Sequence, residues 1–369
     1  MASISLCMIV KNEAQTLSRC LSSIREAIDE LIVVDTGSSD ATREIAQKFG
    51  ARLYDFEWVD DFSAARNFAF SQGSGDYLMW MDADDVLKSG DLPRFQDMKK
   101  RLCPGIVGVT MPYLLNPDES GRPRMRFTRE RLVRRDANPR WVGAVHEVID
   151  YKGYSLYSDL AICHLPVKSG VSDRNLRIYQ RLLDSGHAFD PREHYYYARE
   201  LMENELYEQA IEQFNQFLCL QGGWLENRVW CCRDLAACLR ATGRREEALG
   251  ALMRSLSLDV PRAEILCEIA RHWMELENWQ AAEFWYRSAL LLRPGCHPGG
   301  FELPDCYDFL PCLQLCVISD RLGRRQEALY YHKKCLELRP DHPSVRYNER
   351  YFVSSGLKEP ENPSILPYS

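Results

Sequence analysis

Tyr77-Leu78-Met79-Trp80-Met81-Asp82-Ala83-Asp84-Asp85 sets five apolar residues directly before a run carrying three carboxylates. The apolar part reads as a fully buried strand, and the acidic part as the turn at its carboxyl end. Carboxylates this close repel one another unless a cation offsets the charge. A hard divalent ion such as Mg²⁺ or Mn²⁺, bridging to a diphosphate, suits such a cluster. A solvated acidic turn opening a helix is the plainer alternative. In open α/β sheets, ligands bind beyond the carboxyl ends of the strands, where this cluster falls.

The residues before it supply the rest of a sheet. Ile4–Val10 reads as a buried strand, followed by the polar turn Lys11-Asn12-Glu13 and a helix with Leu17, Leu21, Ile24 and Ile28 on one face. Glu30–Asp35 is a second strand, stopped by Thr36-Gly37-Ser38-Ser39-Asp40, which caps a helix over 41–49 closed by Gly50. A third strand over 51–56 and a helix over 62–71 lead into Tyr77. Strands alternating with helices at this spacing imply βαβ units and a parallel sheet. Asp35 and Asn12-Glu13 then share one crevice with the acidic cluster.

Beyond about residue 170 the strand signal stops and helices take over. Tyr207–Ile211, Arg245–Leu249, Gln280–Phe284 and Arg325–Leu329 look alike, and aligning Ala210, Ala248, Ala282 and Ala328 gives separations of 38, 34 and 46 by subtraction. A period near 34 with a small residue where helices cross is the tetratricopeptide pattern. Arg293-Pro294 and Arg339-Pro340 stop the helices after the third and fourth markers, and the loop over 295–300 accounts for the longest interval. The expected organisation is 1–170 as an α/β domain, 171–190 as a linker helix, 191–350 as helical repeats and 351–369 as a loose tail.

Composition narrows the class. The 369 residues carry 46 Lys+Arg against 53 Asp+Glu, a net charge of −7, which gives no global attraction for nucleic acid. No apolar run approaches the roughly 20 residues of a membrane span, so no integral membrane contact is expected. The first residues lack a basic, cleavable leader, and a cytoplasmic location is the expectation. The 14 Cys are irregularly spaced. A zinc site from Cys296, His297, Cys306, Cys312 and Cys316 lacks any CxxC knuckle, and isolated thiols are the simpler reading.

Ile9–Glu13, Val33–Thr42 and Met81–Asp84 resemble the nucleotide-sugar half of glycosyltransferase family 2, with its GT-A fold. Asp61–Asn67 and Trp141–Glu147 are similar to the branch with C-terminal tetratricopeptide repeats, which includes the sublancin-type peptide S-glycosyltransferases. The implied fold class is an α/β GT-A nucleotide-sugar-binding domain followed by an all-α tetratricopeptide-repeat domain. The resemblance implies that Val10, Asn12, Glu13, Asp35, Arg66, Asp82 and Ala83 bind the nucleotide sugar, with Asp35 on the base and Arg66 on a phosphate or carbonyl. It implies a metal, Mn²⁺ or Mg²⁺, on Asp82, Asp84 and a late histidine. His164 is the first choice, with His146 competing. Glu147 is the candidate general base and His146 stands beside it as a catalytic candidate. The sequence lacks the Glu-Asp pair that supplies the base in many family members.

The expected function is a metal-dependent inverting transfer of a sugar, UDP-linked as the resemblance implies, to a peptide or protein held by the repeats. A cell-surface glycan or lipid-linked oligosaccharide acceptor and a non-catalytic scaffold are the alternatives, and a homodimer stays open. A sugar nucleotidyltransferase would carry a Gly-rich basic loop after the first strand, and Lys11-Asn12-Glu13 is not one.

Overall fold

A computed structural model of the chain describes residues 2–167, 172–295 and 299–354. Two compact units are present, the first running to Asn204 and taking in a short segment that ends at Phe301, the second starting at Glu205. The first contains β1 (Ile4–Val10), α1 (Leu17–Ile24), β2 (Glu30–Asp35), α2 (Thr42–Lys48), β3 (Arg52–Asp55), α3 (Phe62–Gln72), β4 (Tyr77–Trp80), β5 (Asp85–Leu87) and α4 (Leu92–Arg101). β6 (Gly108–Leu115), β7 (Met125–Arg134), β8 (Arg140–Val142), β9 (Val148–Asp150), β10 (Ser155–Tyr157), β11 (Ile162–His164), α5 (Arg174–Asp184) and α6 (Pro191–Glu203) complete it.

The large sheet has the order β3-β2-β1-β4-β7-β6-β11-β5, with β10 beside β6, and β8 pairs separately with β9. The parallel arrangement expected from the sequence holds for β3, β2, β1 and β4. It then fails: β7 pairs antiparallel with both β4 and β6, and β11 antiparallel with β5. Segments joined by a short turn, as β6 and β7 are, need no crossover helix and therefore pair antiparallel.

Side-chain alternation along β1 builds both layers. Ile4, Leu6, Met8 and Val10 pack with Leu17, Cys20, Leu21 and Ile24 of α1. Cys7 on the opposite face packs with Ala69 and Phe70 of α3 and with Trp80 and Trp141. Burial on both faces explains why β1 and β2 read as unbroken apolar runs. The cluster over 36–40, expected to cap α2, does not supply its N-cap: Ala41 stands there without a side-chain cap, and Asp40 before it accepts from the Thr42 amide at 3.0 Å.

The first unit extends past residue 170, the boundary read from the sequence. α6 starts with a capping box, in which Asp190 and Glu193 satisfy each other's backbone amides, and buries Tyr195, Tyr196 and Tyr197. Tyr179 of α5 meets Tyr197 with ring centres 5.8 Å apart.

Among the described residues, the helices of the second unit are α7 (Tyr207–Cys219), α8 (Leu225–Ala241), α9 (Arg245–Ser255), α10 (Ala263–Glu275), α11 (Trp279–Leu290), α12 (Phe309–Arg321), α13 (Arg325–Leu338) and α14 (Pro343–Ser354), with a 3₁₀ turn over Pro304–Tyr307. Helices α8 and α9, α10 and α11, and α12 and α13 pack as consecutive pairs. Ala210, Ala248, Ala282 and Ala328 each occupy the fourth position of α7, α9, α11 and α13, and all four are buried. A methyl side chain lets the paired backbones approach closely there. Helix α14 carries order to Ser354, past the expected start of the tail at 351, and residues 355–369 lie outside the described residues. Cys296 and His297 of the weighed zinc site lie outside them too, while every described cysteine is a free thiol.

Candidate active site

β1, β2 and β4 end at Val10, Asp35 and Trp80, and a cavity of about 410 Å³ opens beyond β1 and β4. Of the residues singled out in the sequence, Val10, Glu13, Arg66, Asp82, Ala83, Asp84, His146, Glu147 and His164 line it. Asn12 and Asp35 do not. Their polar groups organise the adjoining loop instead: Asn12 Oδ1 accepts from the Ser39 amide at 2.8 Å, and Asp35 accepts from the Gly37 and Ser38 amides and from Arg43. Asp35 is buried, and these donors hold its carboxyl below the ordinary carboxylate range against the opposing effect of burial. Gly37, at φ +101°, turns the chain where a side chain would be strained.

Asp84, Asp85 and His164 bring one ligand atom each within 4.8 Å of one another. His164 Nδ1 lies 3.3 Å from Asp84 and 3.4 Å from Asp85, because β11 pairs with β5 and sets His164 opposite Asp85. Burial disfavours charge on the imidazole, yet the two carboxylates outweigh it and push its pKa up to about 10. An Asp84 oxygen and an imidazole nitrogen facing the cavity, with Asp85 engaged by Arg131 and Tyr113 behind them, suit Mn²⁺ or Mg²⁺. Asp85 thus stands in the cluster where the sequence reading had Asp82.

Asp82 is turned toward Arg66, whose Nη2 donates to Oδ1 at 2.8 Å. Burial alone would raise its carboxyl, but Arg66, Arg131 and His164 leave it lowered. Arg66 Nε also donates to Glu147 Oε1 at 2.5 Å, and the guanidinium lies 4.8 Å from the Trp80 ring and 4.9 Å from that of Trp141. Asn67 fixes this arrangement by clamping the Trp141 backbone with two bonds of 2.9 Å. Arg66 therefore joins the acidic turn to the 141–147 segment. His146, the other candidate, is bonded through Nε2 to Glu200 Oε1 at 2.7 Å and stacks on Tyr196.

Several residues escaped the sequence reading. Arg131 is wholly buried and pairs with Asp85, between the rings of Trp80 and Tyr113. Tyr113 donates to Asp85 at 2.7 Å. Arg129 reaches the cavity wall and donates to the Glu147 carbonyl at 3.3 Å. The arginines of β7, at 126, 129, 131 and 134, follow no strict alternation, and nothing local says which strand β7 joins. Glu200 had no signal at all.

Residues 5–155 match the family model described as glycosyl transferase family 2. A TPR repeat-containing protein of Synechococcus elongatus is 41% identical over 152 residues, 41% of this chain and 36% of that protein. The SPbeta prophage-derived glycosyltransferase SunS of Bacillus subtilis is 27% identical over 143 residues, 38% of this chain and 33% of that protein. The chain thus spans about a third of the length of these curated relatives. Among solved structures, MamA superposes with a TM-score of 0.37 at 18% identity, over 48% of this chain and 91% of that one. Parallel strands that end on an acidic turn, within the matched segment 5–155, carry the assignment. Residues 5–155 are a glycosyl transferase family 2 domain, followed in the same chain by a tetratricopeptide-like helical region.

Proposed function

We propose that this chain is a metal-dependent inverting glycosyltransferase that moves a sugar from a nucleoside diphosphate, with UDP the favoured carrier, to a peptide or protein side chain. The observation that carries the reading is the convergence of Asp84 and His164 on the wall of a cavity large enough for part of a nucleotide sugar, with Asp85 buried beside them. Asp84 and His164 would hold the ion, with Asp85 fixed behind them by Arg131 and Tyr113. A bound Mn²⁺ or Mg²⁺ supplies Lewis-acid neutralisation of the departing diphosphate. Val10, Glu13 and Thr36 line the cavity on the β1–β2 side, where the topology favours the nucleoside. Arg66 holds Asp82 and Glu147 in fixed positions around the reacting centre. Glu147 and His146 are the candidates for receiving the acceptor's proton. A peptide acceptor is favoured because stacked helical repeats commonly present an extended face to one.

Calorimetry with UDP, with and without Mn²⁺, and a hydrolysis screen across UDP-, GDP- and TDP-sugars test the reading. Metal-dependent nucleotide binding and turnover of one donor are expected. An absence of metal-dependent heat with every nucleotide would leave a scaffold role.

A further inference from the structure

We infer that His146 is the general base and that Glu200, on α6, is the positioning residue that makes it one; this rests on the glycosyl-transfer reading above. The usual carboxylate candidate is already engaged, since Glu147 Oε1 accepts from buried Arg66 at 2.5 Å. His146 lines the same cavity one residue earlier. Its Nε2 sits 2.7 Å from Glu200 Oε1, its ring stacks on Tyr196 with centres 4.3 Å apart and 18° between planes, and its carbonyl accepts from Arg192 at 2.9 Å. Its φ is +52°, a left-handed conformation that a residue with a β-carbon keeps only where contacts impose it.

The tautomer follows from the partner. An ionised carboxylate only accepts, so the neutral ring carries its proton on Nε2 and a lone pair on Nδ1. That Nδ1 makes no hydrogen bond among the described residues. Glu200 is itself 4% exposed and tied to Asn175 Nδ2 at 3.1 Å, so the pair cannot easily turn away.

In the reaction, the acceptor's hydroxyl or thiol gives its proton to His146 Nδ1 as its oxygen or sulfur bonds to the anomeric carbon. The bond from that carbon to the diphosphate oxygen breaks, and its electron pair leaves with the nucleoside diphosphate. Glu200 balances the imidazolium, which then loses the proton to solvent. The charged and titratable groups around the pair are Arg192 and Tyr196 of α6, Arg174 and Tyr179 of α5, Arg129 of β7, and the Arg66–Glu147 pair.

The test uses the full chain and the donor that the hydrolysis screen turns over, with water as acceptor. Glu200→Gln should keep UDP affinity in Mn²⁺ within about twofold and lower kcat about 100-fold. Glu200→Asp should recover part of the loss. Nitrogen-correlated NMR of the wild-type ring, assigned with His146→Gln, should show the neutral form protonated on Nε2. A neutral ring protonated on Nδ1, or an undiminished kcat in Glu200→Gln, overturns the inference while leaving the glycosyl-transfer reading intact. Failure of the wild type to bind any nucleotide with metal defeats that reading instead.

Discussion

Arg131 and Asp85 form an ion pair 2.9 Å long, and both side chains are wholly excluded from solvent. The guanidinium lies 4.0 Å from the Trp80 ring and 4.3 Å from that of Tyr113. The pair is the floor beneath the acidic turn. Breaking it from one side strands a buried charge, so Arg131→Met should cost about 3–5 kcal/mol in chemical denaturation. Arg131→Met combined with Asp85→Leu should recover much of that, because neither charge then remains. A double variant no more stable than the single one would contradict this account.

Asp84→Asn should abolish turnover in Mn²⁺ while the chain still folds. The change is nearly isosteric, and it removes a charge that faces Asp85 near His164. Hydrolysis of the accepted donor across a Mn²⁺ titration checks it. Wild-type activity in the variant would remove Asp84 from the metal site.

Asp35→Ala should raise the donor KM more than it lowers kcat. Asp35 stays behind the cavity wall and braces Gly37 and Ser38, so its loss loosens a binding loop without touching the reacting bond. Steady-state kinetics with varied donor separates the two parameters. A pure kcat effect would place Asp35 nearer the chemistry.

Glu264 in the second unit couples stability to pH. It is buried, and burial pushes its carboxyl up to about 7 despite bonds from the Leu303 amide at 2.8 Å and the Tyr307 hydroxyl at 3.1 Å. The folded state therefore holds its proton more tightly than the unfolded chain, whose value is 4.5. Stability from this group is full below pH 4.5, falls as pH rises to 7, and is lost above it, a swing of about 3 kcal/mol. Glu264→Gln should flatten that slope in urea denaturation compared at pH 5 and pH 8. An unchanged slope would show that another group carries the dependence.

Ala282 is fully buried at a helix crossing, and Ala282→Leu should destabilise the chain by about 1–3 kcal/mol. Thermal unfolding measures it. A neutral result would mean that the crossing has room the packing does not suggest.

How much of this was legible follows from where each signal is stored. The run from Tyr77 to Asp85 carries its reading locally, as do the strands over 4–10 and 30–35, because doubly buried strands need consecutive apolar residues. The alanines at 210, 248, 282 and 328 are legible for the same kind of reason, since each repeat must present a small residue to its pair. Antiparallel β7 was not legible: its own residues are the same whichever strand it joins. The partners within the site were hidden in the same way. Nothing near Asp82 announces that Arg66 will pair with it, and nothing near Asp85 announces His164, 79 residues later. Residue types and periods determined the elements and the chemistry available to them. Which carboxylate faces which cation depended on how separate strands register, and only the folded sheet decides that.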